Sequence, residues 1–150
     1  MSSKDRKKKK IPQPRPWYTK YKGYQFVENI LRESKKQLLN VAGVLDSIQR
    51  IDRSGLLVGE IQQLEEVDTV VRGNVPEIVK MYSDLGNTLK EFIAVKRDID
   101  DLDFKPQVDA AMLFLDKLMN DIVTPVVNAE EIIDAAIART KVEETVNEHQ

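Results

Sequence analysis

Between Tyr24 and Arg50 the apolar residues recur in alternating steps of four and three: Val27, Leu31, Leu38, Val41, Leu45 and Ile48, with Ser34 filling the one polar step. A mean spacing of 3.5 residues places all of them on one face of an α-helix, and no strand has that period. Three heptads of this pattern make the seam of a coiled coil or helical hairpin. Ile30 and Val44 widen the stripe. The spacing predicts a first helix over about 24–52, stopped or bent at Ser54-Gly55.

The same period continues downstream. Leu57, Ile61, Leu64 and Val71, with Asp68 in the missing step, predict a helix over 56–72. Val67, Thr69, Val70 and Val71 favour strands, and Gly59 weakens a helix by about 1 kcal/mol relative to alanine. The neighbouring segments, however, offer no strand to pair with. Gly73-Asn74 reads as a break: Asn74 and Glu77 have capping-box spacing, and Pro76 suits a first turn. A third helix over 75–102 follows, with the seam Ile78, Tyr82, Leu85, Leu89, Phe92, Lys96 and Ile99. Lys96 either snorkels away from the packed face or fixes the register of a neighbouring helix.

Pro106 opens a fourth helix over about 106–140, whose seam is Val108, Met112, Leu115, Met119, Ile122, Val126, Ala129, Ile133 and Ala136. Pro125 removes a hydrogen bond and bends the axis there. The apolar phase passes it without a slip, which favours one kinked helix over a restart capped by Asn128 and Glu131. No seam residue follows about Thr140, and residues 146–150 are expected to fray. The fold class is therefore all-α: an elongated antiparallel helical bundle, or helical hairpins with coiled-coil-like seams, over 24–145. Leu31, Leu38, Leu45, Leu85, Leu89, Phe92, Leu115, Met119 and Ile122 are its core or oligomer seam. Helices this long in so short a chain leave apolar surface to bury, so a homo-oligomer is expected.

Residues 1–23 differ in kind and are expected to form a disordered or extended arm. Pro12, Pro14 and Pro16 block a helix. The net charge of -2 hides a division. Residues 1–25 carry nine Lys/Arg (Lys4, Arg6, Lys7, Lys8, Lys9, Lys10, Arg15, Lys20 and Lys22) against Asp5 alone, a balance of +8. The remaining 14 basic and 24 acidic residues leave the body at -10. Such asymmetry marks an interaction tail. Six cations within residues 4–10 attract any polyanion, and contact with phosphates would weaken steeply with salt. Trp17, Tyr18 and Tyr21 are candidate anchors that stack on bases or enter a partner's pocket, whereas Tyr24 and Phe26 cover the end of the helices. No base-reading motif accompanies them, so no sequence specificity is expected. Lysine runs also serve as nuclear import signals in eukaryotic cells and as adhesives for anionic membranes.

Catalytic chemistry finds little support. There is no cysteine, which excludes disulfides, thiolate metal sites and cysteine nucleophiles. His149, the sole histidine, is the penultimate residue, where no dry, oriented site is expected. Phosphate-cradling glycine motifs are missing, and so are the Glu-x-x-His pairs of carboxylate di-metal bundles. Asp98, Asp100, Asp101, Asp103 and Asp109 cluster, but a calcium loop begun at Asp98 puts Leu102 at position 5, and one begun at Asp101 puts Lys105 there. These aspartates read as an acidic inter-helix turn favourable to the next helix's N-terminus, with a weak divalent-cation site or a docking patch for a basic segment as the second reading. Met112 and Met119 are packing residues and not ligands.

No apolar run spans a membrane, and prolines follow the basic N-terminus where a secretory signal has an apolar segment. An intracellular protein, or part of a particle assembled inside a cell, is expected. No catalytic residue, cofactor or metal is assigned. The expected function is that of a non-enzymatic, oligomeric assembly protein whose arm contacts nucleic acid without sequence preference. The alternative is a structural adaptor whose arm docks on an acidic protein surface or neighbouring subunit.

Overall fold

The computed structural model describes residues 16–95 and 99–148. Among them every regular element is helical. Three long helices dominate. The first, α1, is Lys22–Arg50, and the second, α2, is Val58–Ala94. The third consists of α3 (Lys105–Leu118), a π turn (Met119–Val123) and α4 (Thr124–Glu148), joined without a gap. Short 3-10 turns occupy Trp17–Lys20, Arg53–Gly55 and Asp101–Phe104. No helix among the described residues is long and apolar enough to cross a membrane.

The first and third long helices run in the same direction, with α2 antiparallel to both. At one end the Gly23 N–H donates to Asp101 Oδ1 at 3.3 Å. Midway Asn40 Nδ2 reaches Glu130 Oε1 at 3.4 Å. At the far end Arg139 Nη2 donates to the Gly55 carbonyl at 3.3 Å. All three helices contribute to one core, in which Val27, Ile48, Leu64, Ile78, Phe114 and Ile122 are almost wholly buried.

Three sequence expectations need correction. The first is the break at Gly73-Asn74, because α2 runs straight through Gly73, Asn74 and Pro76. An interior proline forfeits a hydrogen bond, and the local cost is about 3 kcal/mol. Opposing it, Leu64, Val71, Ile78 and Leu85 lie on one buried stripe in steps of seven on either side of the proline. Breaking the helix would unseat half of that stripe. Asn74 and Glu77, read as a capping box, instead reach the third helix. Asn74 Nδ2 lies 3.4 Å from the Asp121 carbonyl oxygen, and Glu77 pairs with Lys117 at 3.0 Å.

The second concerns the third long helix. The seam Val108, Met112, Leu115 and Met119 is not its core face. The buried residues of α3 are Gln107, Ala111, Phe114 and Leu118, one position earlier, whereas Met112 and Met119 are 52% and 42% exposed. From Ile122 onward the predicted and observed faces coincide at Val126, Ala129 and Ala136. The π turn reconciles the two halves. Its extra residue closes an i→i−5 bond from the Thr124 N–H to the Met119 carbonyl and turns α3 relative to α4. The phase therefore does slip, immediately before Pro125.

The third concerns the ends. The helix predicted over 75–102 stops at Ala94, and the one predicted to end near 140 continues to Glu148. Ile99 lies outside any helix yet still packs on the core. Of the remaining seam residues, Leu45, Leu85, Leu89 and Ile122 are buried, and Leu31, Leu38, Phe92 and Leu115 are half-buried. Lys96 and His149 lie outside the described residues.

Candidate interaction surface

Residues 17–24 fold back on the body through an aromatic cluster. The Trp17 ring meets Tyr18 edge-on at 5.6 Å and Tyr21 at 6.1 Å. Tyr18 lies 4.8 Å from Tyr24. Tyr21 and Tyr24 then contact Phe104, at 5.5 and 6.5 Å, and Phe92 closes the group from α2 at 4.7 Å. Phe104 is the keystone, with no exposed surface. Trp17, Tyr18 and Tyr21, predicted as anchors for a partner, are thus each half-buried against their own chain. Tyr24 is half-buried as well, while Phe26 stays 39% exposed.

Polar contacts fix the same segment. The Tyr21 hydroxyl donates to the Ile99 carbonyl at 2.9 Å, and Gln25 Nε2 donates to the Thr19 carbonyl at 2.8 Å. Burial, followed by the nearby Glu28 carboxylate, raises the Tyr24 hydroxyl above its ordinary pKa, so it stays neutral. Lys20 Nζ sits 5.4 Å from the centre of the Tyr21 ring. Lys20 and Lys22 are exposed at this end of the body. The other predicted binding cations, Lys4, Arg6, Lys7, Lys8, Lys9, Lys10 and Arg15, lie outside the described residues.

The acidic turn has structural work. The Asp100 carboxylate accepts from the N–H groups of Leu102 and Asp103, Asp103 returns a bond to the Asp100 N–H, and Asp101 receives the Gly23 N–H. Asp98 lies outside the described residues. Among the described residues, no group of three or more acidic or histidine side chains is arranged to hold a metal ion.

Sequence reasoning did not single out a second charged region, where α2 faces α4. A groove of about 500 Å³ is lined there by Glu60, Gln63, Glu66, Asn128 and Glu131, with Val67 and Ile132 adding apolar walls. Of these residues Glu60 makes a two-pronged contact with Arg139, at 2.9 and 2.5 Å. Glu60 also accepts from the Leu57 N–H at 2.9 Å and so caps α2. The Arg139 hydrogen bonds, then that backbone bond, hold the Glu60 carboxyl at a pKa of about 2. Among the described residues, Glu66 and Glu131 make no such pairing. These carboxylates were invisible in the sequence because they lie off the apolar seams, and only the packing of α2 on α4 assembles them.

A third surface is apolar. Phe26 and Ile30 of α1 face Leu115, Leu118 and Met119 across a groove of about 310 Å³, with Ser34 in its lining. The Ser34 hydroxyl is buried without a hydrogen-bond partner among the described residues.

No known protein family matches this chain, nor does any curated protein or solved structure.

Proposed function

We propose that the protein is a non-enzymatic assembly component: an antiparallel helical bundle that self-associates, bearing a cationic N-terminal segment that contacts nucleic-acid phosphates without sequence preference. The carrying observation is the division of charge, +8 in residues 1–25 against -10 in the rest. An acidic body repels a polyanion, so contact is confined to the basic segment. The aromatic cluster supports this reading by holding residues 17–24 on the body, at the junction with Lys4–Arg15. Because Tyr21 and Tyr24 already pack on Phe104, and Trp17 and Tyr18 pack on those two tyrosines, phosphate attraction supplies the affinity and base stacking contributes little.

The test is a mobility-shift titration with a mixed-sequence oligonucleotide at several salt concentrations. The intact protein is compared with a variant in which Lys7, Lys8, Lys9 and Lys10 are all alanine. The expected result is weaker binding by the variant, with the slope of log K against log salt reduced by roughly 3. Equal, salt-insensitive binding by both proteins rules the reading out.

The α2–α4 groove favours a second reading, in which the basic segment of one copy docks on the acidic face of another. Glu66 and Glu131, which pair with no cation among the described residues, give a lysine-rich segment carboxylates to meet. In that case the solution mass falls with rising salt in the absence of nucleic acid, and the four-alanine variant is smaller than the intact protein at low salt.

A further inference from the structure

The third long helix carries two apolar stripes one residue apart. The inner one is Ala111, Phe114 and Leu118, and the outer one is Val108, Met112, Leu115 and Met119. Only the outer stripe continues in unbroken steps of four and three into Ile122, Val126, Ala129, Ile133 and Ala136, the face that α4 buries. The inner stripe reaches Val126 through three consecutive steps of four, from Phe114 to Leu118 to Ile122 to Val126. That spacing fits only because the π turn adds a residue. Without it, α3 would rotate by about 100° about its axis and advance by about 1.5 Å. The outer stripe would then enter the core.

From these relations we infer that α3 has two registers, and that Pro125 with the π turn is the latch holding it in the one observed. In a continuous α-helix the Pro125 ring would collide with the Asp121 carbonyl and leave it without an N–H donor. The wider turn avoids the collision, and Asn74 Nδ2 reaches that carbonyl from α2.

A second, independent observation shows what the observed register costs. Gln107 sits on the inner face, only 7% exposed, and its Oε1 is buried without a partner among the described residues. Rotation would carry Gln107 toward water and bring Val108 into its place, removing the unsatisfied group. Against rotation stand the burial of Phe114 and Leu118, the 6.2 Å contact of Phe114 with Tyr82, and the Lys117–Glu77 ion pair at 3.0 Å. The groove opposite Phe26 and Ile30 is lined by Leu115, Leu118 and Met119, all of which move in the rotation. Its shape is therefore tied to the register.

The absence of cysteine allows a direct test. Single thiols are introduced by Ala111→Cys or Met112→Cys, each with Pro125 and with Pro125→Ala, and alkylation by iodoacetamide is timed. With Pro125 retained, the thiol at 112 is expected to react at least a hundredfold faster than that at 111. In Pro125→Ala this ratio falls at least tenfold, as position 111 opens and position 112 closes. An unchanged ratio in a cooperatively melting Pro125→Ala protein overturns the inference. If Pro125→Ala does not fold, the urea dependence of labelling at 111 in the Pro125 protein decides. Rotation exposes little new surface, so the rate should be flat in urea well below the unfolding transition. A rate that follows global unfolding at every urea concentration overturns the two-register inference.

Discussion

Asn74 Nδ2, on the second long helix, lies 3.4 Å from the backbone carbonyl oxygen of Asp121 on the third. In an uninterrupted α-helix that carbonyl would accept from residue 125, but Pro125 has no N–H. A side chain from one helix thus supplies what a proline removes from another. Replacing Asn74 with leucine keeps the bulk and deletes the donor, and the loss should be about 1 kcal/mol. Urea unfolding of wild type, Asn74→Leu, Pro125→Ala and the double variant reads the coupling. The Asn74→Leu penalty should shrink when residue 125 can donate. An equal penalty in both backgrounds would show that the two residues do not compensate one another.

The Glu60–Arg139 contact makes stability depend on acid. The Glu60 carboxyl titrates near 2 in the folded protein, against an ordinary value of 4.5. A depressed folded pKa contributes stability that is fully present above the unfolded value. It disappears as pH falls from about 4.5 toward 2, where protonation is tighter in the unfolded chain. Arg139 stays charged throughout, because the same contact moves its pKa upward. Thermal midpoints of wild type and Glu60→Gln, followed from pH 7 to pH 2, should therefore converge at the acid end, with wild type the more stable above pH 5. Parallel curves would mean that the contact contributes nothing dependent on protonation.

Gly23 is held to glycine by proximity and not by backbone conformation. No described glycine has a positive φ, but a Cβ on Gly23 would overlap the Cβ of Phe104. Phe104 is fully buried and touches Tyr21, Tyr24 and Phe92, so it cannot retreat. Gly23→Ala should raise the intrinsic helix propensity of α1 yet destabilise the protein by about 1–3 kcal/mol through overpacking. It should also alter the near-ultraviolet circular dichroism of the aromatic cluster. By contrast, Gly43→Ala meets no atom within 4 Å and should stabilise the exposed face of α1 by up to about 1 kcal/mol. If the two substitutions behave alike, close packing at Gly23 is not the reason for its glycine.

The helical class was legible because periodicity is a local property. Leu45, Leu85 and Leu89 were recognisable as packing residues from their spacing alone. Failures came where a long-range contact outweighed a local signal. Asn74, Glu77 and Pro76 have the spacing of a helix start, and nothing in the neighbouring residues reveals that Asp121 and Lys117 are their partners. Met112 and Met119 fit the heptad better than Ala111 and Leu118 do. Only the π turn, a consequence of Pro125 meeting a packed helix, decides between the stripes. Trp17, Tyr18 and Tyr21 stood out as an aromatic cluster, but Phe104, on which Tyr21 packs, is more than 80 residues away in the chain.

Ser34 gives the last test, because its position on the seam was plain and its environment was not. The residue is 1% exposed and its hydroxyl has no hydrogen-bond partner among the described residues. A buried, unsatisfied hydroxyl opposes folding, and its removal leaves only a small void beside Leu118 and Met119. Ser34→Ala should accordingly stabilise the protein by about 1 kcal/mol, an unusual sign for truncation of a fully buried side chain. Ser34→Val tests the volume separately: if the site tolerates the added methyl, the gain should equal or exceed that of alanine. A loss of stability in Ser34→Ala would mean that the hydroxyl is satisfied in solution, by an ordered water or by the Ile30 carbonyl one turn earlier.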